Sequence, residues 1–401
     1  MSASLSVAKL TFFIAILAAV GQATQTMYVP SIGYMAQEFL VSPAALQAVM
    51  ACYLIPYGLS QFVYGTLSDR IGRKPIIIAG LAIYIIGSLI ALFAHQYSWF
   101  LIGSFVQGLG IGCGGAMSRT LSRDCFEGAE LHKVNSLISM CLIFSPLVAP
   151  VLGGYLTESF GWRSSYLFLS LFAIAVVITM MTSMVETLPA TARKKEPVLR
   201  SYHYVLSDRR FQGYLICLVA TFAGLAVFEA AAGVLLGGVL GLPATTVSLL
   251  FVLPIPSYLA GAWLSNVIAR HWREKTAMYI GLLAILTGSL VIMLPGLLGM
   301  TTALSLIGGA TIYFLGAGIL FPAATTGALS PFPYHAGTGG AILGGMQNLG
   351  AGLATLFAAM FPASDQLPLG IIMLLMSVLA LWGLKRVYTK QPPSDEMPIA
   401  I

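Results

Sequence analysis

Charged residues are scarce in this chain. Lys, Arg, Asp and Glu together make up 8% of its 401 residues, whereas soluble domains carry about 25%. A soluble fold of this length could not cover its surface with so few charges, and hydrophobic residues reach 58%. A lipid bilayer reverses the requirement, because positions that face lipid must be apolar. The composition therefore indicates an integral membrane protein.

Residue types that bind metals or build catalytic centres are also few. The five cysteines lie in apolar segments or short loops, without metal-ligand spacing or an extracellular cluster, so we expect free thiols. The five histidines lie at loops or loop edges and form no His–His–carboxylate pattern. We therefore predict no metal, no cofactor and no enzymatic activity. The cysteines are Cys52, Cys113, Cys125, Cys141 and Cys217, and the histidines are His95, His132, His203, His271 and His335.

Long apolar runs recur along the whole chain. A helix needs about 20 apolar residues to cross the ~30 Å hydrocarbon core of a bilayer, and twelve runs of this kind are present. The sequence therefore predicts an all-α membrane protein with twelve transmembrane helices. The runs lie near residues 10–29, 45–67, 75–94, 98–118, 133–157, 163–185, 211–236, 244–269, 276–295, 302–329, 338–361 and 367–386.

The basic residues are distributed along one side of the predicted membrane. With the N-terminus in the cytoplasm, 19 of the 20 Lys and Arg residues fall in inside segments, and only Arg163 falls outside. This asymmetry follows the positive-inside rule and places both termini in the cytoplasm. The net charge of +6 therefore reflects membrane topology, and we predict no binding of nucleic acid.

A basic connection between the sixth and seventh runs divides the chain into two halves. We predict an N-terminal six-helix bundle over 1–186, a cytoplasmic linker over 187–210, a C-terminal six-helix bundle over 211–387 and a cytoplasmic tail over 388–401. Two six-helix units in one chain are typical of duplicated transporter halves.

The connection between the second and third runs carries a complete motif. It reads GTLSDRIGRKP from Gly65 to Pro75. A glycine at position 65 would let two helices approach closely, and Gly72 would permit a tight turn. Asp69 lies among cations and can form a breakable ion pair.

This segment resembles the signature loop of the major facilitator superfamily, Gly-x-x-x-Asp-Arg-x-Gly-Arg-Arg/Lys, and every defining position matches. The resemblance implies two pseudo-symmetric six-helix bundles that alternate access to a central site. It also implies that this loop latches one of the alternating states. The latch residues would be Gly65, Asp69, Arg70, Gly72 and Arg73.

The fifth run resembles the Gly-Pro-x-x-Gly-Gly element that is associated with antiporters of the superfamily. It contains Pro146, Pro150, Gly153 and Gly154, with Ala149 at the usual position of the first glycine. The prolines remove backbone hydrogen bonds and bend the helix, and the glycines allow tight packing on a neighbour. An ordinary kinked helix is the alternative interpretation. The element favours export over import.

The fourth run matches a further family pattern, Arg-x-x-Gln-Gly-x-Gly, only in part. Gln107, Gly108 and Gly110 are present, but Ser104 occupies the position of the arginine. The role in proton transfer that the family gives to that arginine does not pass to Ser104. Arg119, lower on the same run, could compensate for it or could extend to the lipid headgroups.

One acidic residue lies deep inside a predicted span. Of the 14 acidic residues, 13 fall in loops, tails or helix ends, while Glu229 lies well within the seventh run. A charge at mid-bilayer costs on the order of 3 kcal/mol or more, and a carboxyl group taken out of water favours its protonated form. We therefore predict Glu229 as the proton-coupling site. The alternative is a neutral carboxylic acid that is hydrogen-bonded for helix packing.

Polar and aromatic residues in the first, second, seventh and eleventh runs are candidates for substrate contacts. In the second run they recur at steps of three and four, so they form one stripe along the helix. Tyr, Gln and Met bind varied shapes without requiring one hydrogen-bond pattern. Interhelical packing and interfacial tyrosine belts are the alternatives. The predicted substrate residues are Gln22, Gln25, Tyr28, Met50, Tyr53, Tyr57, Gln61, Tyr64, Phe228, Gln347 and Asn348.

Together with these residues, the resemblance to the major facilitator superfamily implies a proton-coupled multidrug efflux antiporter. Its substrates would be small amphipathic molecules, neutral or cationic, because no Lys or Arg lies deep in a span to receive an anion. The alternative is a proton-linked nutrient importer of the same fold. The implied partners are protons, the substrates and the lipid bilayer, and we expect a monomer in the bacterial inner membrane.

Overall fold

The computed structural model describes residues 7–126, 128–189, 199–272, 274–332 and 336–388, and its regular elements are all helical. The first half contains α1 (Val7–Met27), α2 (Ile32–Phe39), α3 (Gln47–Ile71), α4 (Arg73–Leu92), α5 (Tyr97–Cys125), α6 (Gly128–Phe160) and α7 (Arg163–Ser183). The second half contains α8 (Leu199–Ser207), α9 (Arg209–Gly233), α10 (Ala244–Val252), α11 (Ile255–His271), α12 (Glu274–Leu297), α13 (Ala303–Leu329), α14 (Ala336–Ala358) and α15 (Leu367–Tyr388).

Three shorter helical segments accompany these helices in the described part of the chain. 3₁₀ turns at Val29–Ser31 and Pro43–Leu46 connect α1 to α2 and lead into α3, and a π-helix at Val234–Val239 extends α9. The predicted tail, apart from Tyr388, and residues 190–198 of the predicted linker lie outside the described residues, as does the side chain of Arg119.

The prediction of twelve membrane-crossing helices is confirmed. Eleven helical stretches in the described parts of the chain are long and apolar enough to cross a bilayer, with α1 and α2 forming one stretch and α10 and α11 another. The twelfth is α6, a helix of 33 residues that contains Pro146 and Pro150.

The packing repeats between the two halves. In the N-terminal bundle α4 packs on α5, α3 on α5, α1 on α6 and α4 on α7. In the C-terminal bundle α12 packs on α13, α11 on α13, α9 on α14 and α12 on α15. Each contact in one half corresponds to the contact six spans later in the other half. The predicted pair of pseudo-symmetric bundles is therefore confirmed.

The most extensive contacts between the bundles are those of α3 with α14 and of α6 with α10. Close backbone approach makes the first pair tight. A Cβ built on Gly58 of α3 would lie 2.5 Å from the Leu349 nitrogen and 2.6 Å from the Gly345 carbonyl oxygen of α14. Any side chain at position 58 would separate the two helices. Small residues are the usual means by which membrane helices reach such contact.

The two ends of the bundles differ in charge. We call the end that holds Arg73, Lys74, Lys275, Lys385 and Arg386 the basic end. The other end, which holds Arg163, is called the opposite end. α3, α5, α13 and α15 end at the basic end, and α1, α4 and α14 end at the opposite end. The charged side chains near these helix ends therefore lie at the corresponding end of the bundles.

The signature segment differs in detail from the expectation. It is mostly helical, since α3 continues to Ile71 and α4 begins at Arg73, which leaves Gly72 alone between the two helices. Gly72 has φ of 119°, a conformation that favours glycine, so the predicted tight turn is confirmed. The close approach expected at Gly65 is wrong, because a Cβ there would meet nothing within 4 Å.

Candidate functional site: a central cavity with one acid

A cavity of about 460 Å³ lies between the two bundles. It extends toward the basic end, because its lining includes Ser122 near the end of α5, Leu329 at the end of α13 and Gly340 near the start of α14. Toward the opposite end the bundles meet instead, where a Cβ on Gly233 would lie 2.3 Å from the Val29 carbonyl oxygen. The cavity is therefore a pocket between the halves that is closed at one end.

Glu229 is the one acidic residue among the described residues that line this cavity. It lies on α9, five residues before the π-helix that starts at Val234. Its Oε2 accepts a hydrogen bond from Gln25 Nε2 of α1 over 2.6 Å. This bond crosses from one bundle to the other at the closed side of the cavity. The carboxyl group thus has contact with the cavity and with a polar partner beyond it.

Five of the predicted substrate residues lie on the cavity wall. Two come from the second span, one from the first and two from the eleventh. Within this set, Asn348 donates from Nδ2 to the Gly344 carbonyl oxygen over 3.1 Å, while its buried Oδ1 has no hydrogen-bond partner in the described structure. The Oδ1 atom of Asn348 can therefore accept a hydrogen bond from a bound molecule. The wall residues are Gln22, Tyr57, Gln61, Gln347 and Asn348.

The other predicted substrate residues are not part of the cavity lining. Met50 and Tyr53 are buried near the start of α3, and the Tyr53 hydroxyl donates to the Gly21 carbonyl oxygen of α1 over 2.9 Å. Tyr64, Gln25 and Tyr28 are buried as well. The stripe on α3 is continuous, but α1 covers its first part, so that only its middle reaches the cavity.

Phe228 packs behind two residues of the cavity wall. Its ring lies 6.3 Å from that of Phe251 and 5.8 Å from that of Phe314, and both of those rings line the cavity. Phe228 itself is fully buried behind them. It therefore holds two wall residues in position.

Sequence reasoning missed the aromatic residues of the C-terminal bundle. The cavity wall includes a cluster in which the ring centroid of Phe321 lies 6.3 Å from Phe222 and 6.2 Å from Tyr258. The 21 Phe and 17 Tyr residues are spread along the whole chain, so no pattern within one helix distinguished these. The missed aromatic wall residues are Phe222, Phe251, Tyr258, Phe314 and Phe321.

The residues of the fifth-span motif lie against the cavity, against α1 and against α10. Pro146 lines the cavity. A Cβ on Gly153 would lie 2.0 Å from the Met27 carbonyl oxygen of α1, and one on Gly154 would lie 2.9 Å from the Ala244 carbonyl oxygen of α10. The expected tight packing is confirmed for both glycines. Pro150, buried one turn after Pro146, also lies inside α6.

At the basic end, Arg73 binds three side chains. Its guanidinium donates to Asp69 over 2.5 Å, to Asp124 of α5 over 2.8 Å and to Ser68 over 2.7 Å. The side chain of Arg73 is buried, while Asp69 and Asp124 are partly exposed. The expected ion pair between Asp69 and Arg73 is therefore present.

The rest of the signature segment is held by α7 and the chain after it. Glu186 accepts hydrogen bonds from the backbone nitrogens of Arg73 and Lys74, over 2.8 and 3.1 Å. These nitrogens belong to the first turn of α4, where backbone donors lack partners inside the helix. Arg70 is exposed to the surroundings.

Comparisons with known proteins agree with this architecture. The chain is 42% identical over 371 residues to multidrug resistance protein D of Escherichia coli strain K12, an alignment that covers 92% of this chain and 93% of the relative. It is 26% identical to a bicyclomycin resistance protein homolog of Haemophilus influenzae, with 83% and 85% covered. It is 27% identical to multidrug resistance protein MdtL of Escherichia coli O139:H28, with 83% and 84% covered.

The fold has a solved counterpart. The crystal structure of the human organic anion transporter MFSD10 (TETRAN) superposes with a TM-score of 0.66 at 16% identity, covering 96% of this chain and all of that one. The sequence model of the Major Facilitator Superfamily matches residues 11–355. Together with two repeated six-helix bundles around a central cavity, this match places the chain in the major facilitator superfamily.

Proposed function

We propose that this protein exports small amphipathic molecules, neutral or cationic, in exchange for protons. The observation that carries the proposal is the position of Glu229, the one charged side chain among the described residues that line the cavity between the two bundles. When Glu229 loses its proton, it places one negative charge on the cavity wall, where a cationic substrate would bind. Proton and substrate would then compete for the same place.

The cavity wall suits a multidrug exporter. Aromatic rings and amide side chains surround Glu229, and no Lys or Arg is among the described lining residues. Aromatic walls bind apolar and cationic groups of varied shape, while amides offer both donors and acceptors. Relatives named for multidrug and bicyclomycin resistance support the same function.

In alternating access the cavity opens to one side of the membrane at a time, and the proton gradient gives the exchange its direction. The cavity extends toward the basic end, while the contacts of Gly233 with Val29 and of Gly154 with Ala244 close the opposite end. We infer that the basic end faces the cytoplasm, which places both termini there. In this arrangement the protein is ready to accept substrate from the cytoplasm of a bacterium, through its inner membrane. One chain contains both bundles, so a monomer suffices.

The test uses inside-out membrane vesicles with an acidic interior. Adding a cationic dye should release protons from the vesicles as the dye is taken up, and Glu229→Gln should abolish the coupled release. Gln keeps the size of the side chain and its capacity for hydrogen bonds but cannot ionise, so the variant should still insert and fold. Glu130→Gln is the matched control, because Glu130 is exposed in the first turn of α6 at the basic end.

Two results would contradict the proposal. Normal proton release in Glu229→Gln would remove this residue from the mechanism. Proton movement that follows a sugar or organic acid, and is unaffected by the dyes, would favour a nutrient importer of the same fold.

A further inference from the structure

The side-chain amide of Gln25 has one atom bonded to Glu229 and one atom without a partner. Its Nε2 donates to Glu229 Oε2 over 2.6 Å, while its buried Oε1 has no hydrogen-bond partner in the described part of the chain. Gln25 is only 2% exposed, and buried carbonyl oxygens are normally hydrogen-bonded. An acceptor left open here is accounted for by a donor that is present only in another state of the protein.

The Gln25–Glu229 pair lies in the contact that closes the opposite end. One helical turn further along both segments, a Cβ on Gly233 would lie 2.3 Å from the Val29 carbonyl oxygen. Residues four apart in a helix lie on the same side, so the two contacts are consecutive along one interface between the bundles. Any opening of this end therefore has to break the bond between Gln25 and Glu229.

The amide of Gln25 can bond to either protonation state of Glu229. An ionised carboxylate only accepts hydrogen bonds, whereas a protonated carboxyl group also has one O–H to donate. The carboxylate therefore uses only Nε2 of Gln25, while the neutral acid can use Nε2 and Oε1 together. The single bond to the carboxylate is charge-assisted and so stronger than either bond of the neutral pair. The opposite end is thus held closed in both states.

We propose that the Gln25 amide is the gate of the opposite end. Its bonds with Glu229 hold that end closed while the carboxyl group is protonated or empty, and a substrate opens it by binding the carboxylate. This inference rests on the proposed function of Glu229. A cation that pairs with Glu229 from the cavity compensates the charge of the carboxylate, so the bond to Gln25 loses its charge assistance.

No other group around the carboxyl group of Glu229 changes charge among the described residues. Tyr28, which follows α1, interacts electrostatically with Glu229, and Tyr57 of α3 and Tyr258 of α11 line the same cavity. Tyrosine hydroxyls keep their protons in neutral and acidic solution. The described lining residues of α1, α5, α6, α10, α13 and α14 include no titratable or charged side chain. The gate therefore responds to Glu229 alone.

The gate gives an order to the steps of the exchange. With the opposite end open, Glu229 takes a proton from water on that side, and the two-bond pair with Gln25 forms as the end closes. At the basic end the proton passes to water when the substrate arrives, and the substrate then holds the carboxylate. The opposite end opens, and the substrate leaves. Each proton moves between a carboxylate and water, so no electrons are transferred.

The same bond prevents the empty carrier from changing state. After proton release without substrate, the Glu229 carboxylate keeps its bond from Gln25, and the opposite end stays closed. Without that bond the empty carrier would return, and each round trip would carry one proton and no substrate. Gln25 is thus a positioning residue that makes proton movement depend on substrate.

Gln25→Met tests the gate through proton leakage, because methionine keeps the length of the side chain and removes both polar atoms. In inside-out vesicles with an acidic interior and no dye, we expect proton release to become about tenfold faster than in the unmodified protein. This factor is the rate equivalent of one lost hydrogen bond to a charged group. A leak is a gain of activity, which a misfolded protein does not show. Gln25→Leu should behave in the same way.

Thr26→Val is the matched control. Thr26 is the fully buried neighbour of Gln25 on α1, and its hydroxyl donates within the helix to the Gln22 carbonyl oxygen over 3.0 Å. Valine keeps the shape of the side chain and removes the hydroxyl. Proton release without dye should match that of the unmodified protein.

A second measurement follows the opposite end directly. In Glu229→Gln the two amides form the same two-bond pair as the protonated acid. Spin labels at Leu40 and Val239, both exposed at that end, should therefore report a short distance at any pH, with or without dye. Adding Gln25→Met to this variant should lengthen the distance, because the pair is lost.

Three results would overturn the inference. An unchanged leak in Gln25→Met would show that the amide is not the gate, and an equal leak in Thr26→Val would assign the effect to packing. A short distance that persists in the double variant would show that other contacts hold the end closed. If Glu229→Gln loses coupled release while Gln25→Met stays coupled, the proposed function stands and only the gate fails. Coupled release in Glu229→Gln would remove both.

Discussion

Gln25 and Glu229 form a hydrogen bond that crosses the interface between the two bundles, with Nε2 and Oε2 2.6 Å apart. Gln25 comes from α1 and Glu229 from α9, the first spans of the two halves. The bond lies on the side of the cavity where the bundles are in contact. The group proposed to carry the proton therefore also takes part in closing the opposite end.

Replacement of Gln25 should weaken that closure. In Gln25→Leu the carboxyl group loses its partner from the other bundle, and a hydrogen bond to a charged group contributes about 1.5–3 kcal/mol. We expect the population open at the opposite end to increase. Spin labels at Leu40 and Val239, both exposed at that end, should show a longer distance distribution. The same distribution in Gln25→Leu and the unmodified protein would contradict a role in closure.

Gly154 should tolerate no side chain. A Cβ there would lie 2.7 Å from Ser248 Oγ and 2.9 Å from the Ala244 carbonyl oxygen of α10, and inserting atoms into such contacts costs about 1–3 kcal/mol. Gly154→Val should therefore separate α6 from α10 and reduce dye export strongly. Gly308→Val is the control, because a Cβ at Gly308 of α13 meets nothing within 4 Å. Equal export by the two variants would contradict the packing argument.

Arg73 should contribute to stability through its three partners. Arg73→Gln leaves Asp69 and Asp124 without their cation, and removing one partner of a fully buried pair costs about 3–5 kcal/mol. Because both carboxylates are partly exposed, we expect a smaller loss, about 1–3 kcal/mol. Thermal unfolding in detergent measures it. Arg70→Gln should leave the unfolding temperature within error, since Arg70 is exposed, and similar losses in both variants would disprove the difference.

Replacing the two glycines of the signature segment with alanine should affect the stability of the protein differently. Gly72→Ala forces a side chain into a backbone with φ of 119°, which costs of order 1–3 kcal/mol. Gly65→Ala meets open space within α3 and should be neutral or should stabilise by up to about 1 kcal/mol, because alanine favours the helix. Thermal unfolding of the two variants side by side is the measurement. A loss at position 65 as large as that at 72 would restore the close approach first expected there.

The class of protein and its architecture could be predicted from the sequence, because they depend on the overall composition and on the number and spacing of apolar runs along the chain. The number of spans follows from the count of apolar runs, and the division into halves follows from the one long basic connection. Glu229 could be singled out without any structure, since a single acid in an apolar run is visible locally. Gly72 and Gly153 were predicted for the right reason, because a turn and a tight contact each demand glycine.

The composition of the cavity could not be predicted, because it depends on where helices from distant parts of the chain lie together. Tyr53 and Tyr57 belong to the same stripe of α3, yet α1 covers Tyr53 and leaves Tyr57 on the wall. Phe222 and Phe321 lie far apart in sequence and meet only after α9 and α13 pack.

The sequence alone determined that this protein is a twelve-helix membrane carrier with one acid at membrane depth, since the bilayer imposes apolar length and charge asymmetry on each segment separately. Only the tertiary structure decided which groups surround that acid. Gln25 and Tyr28 acquire their position because two bundles meet at the opposite end, and contact between bundles leaves no mark on the periodicity of a single helix.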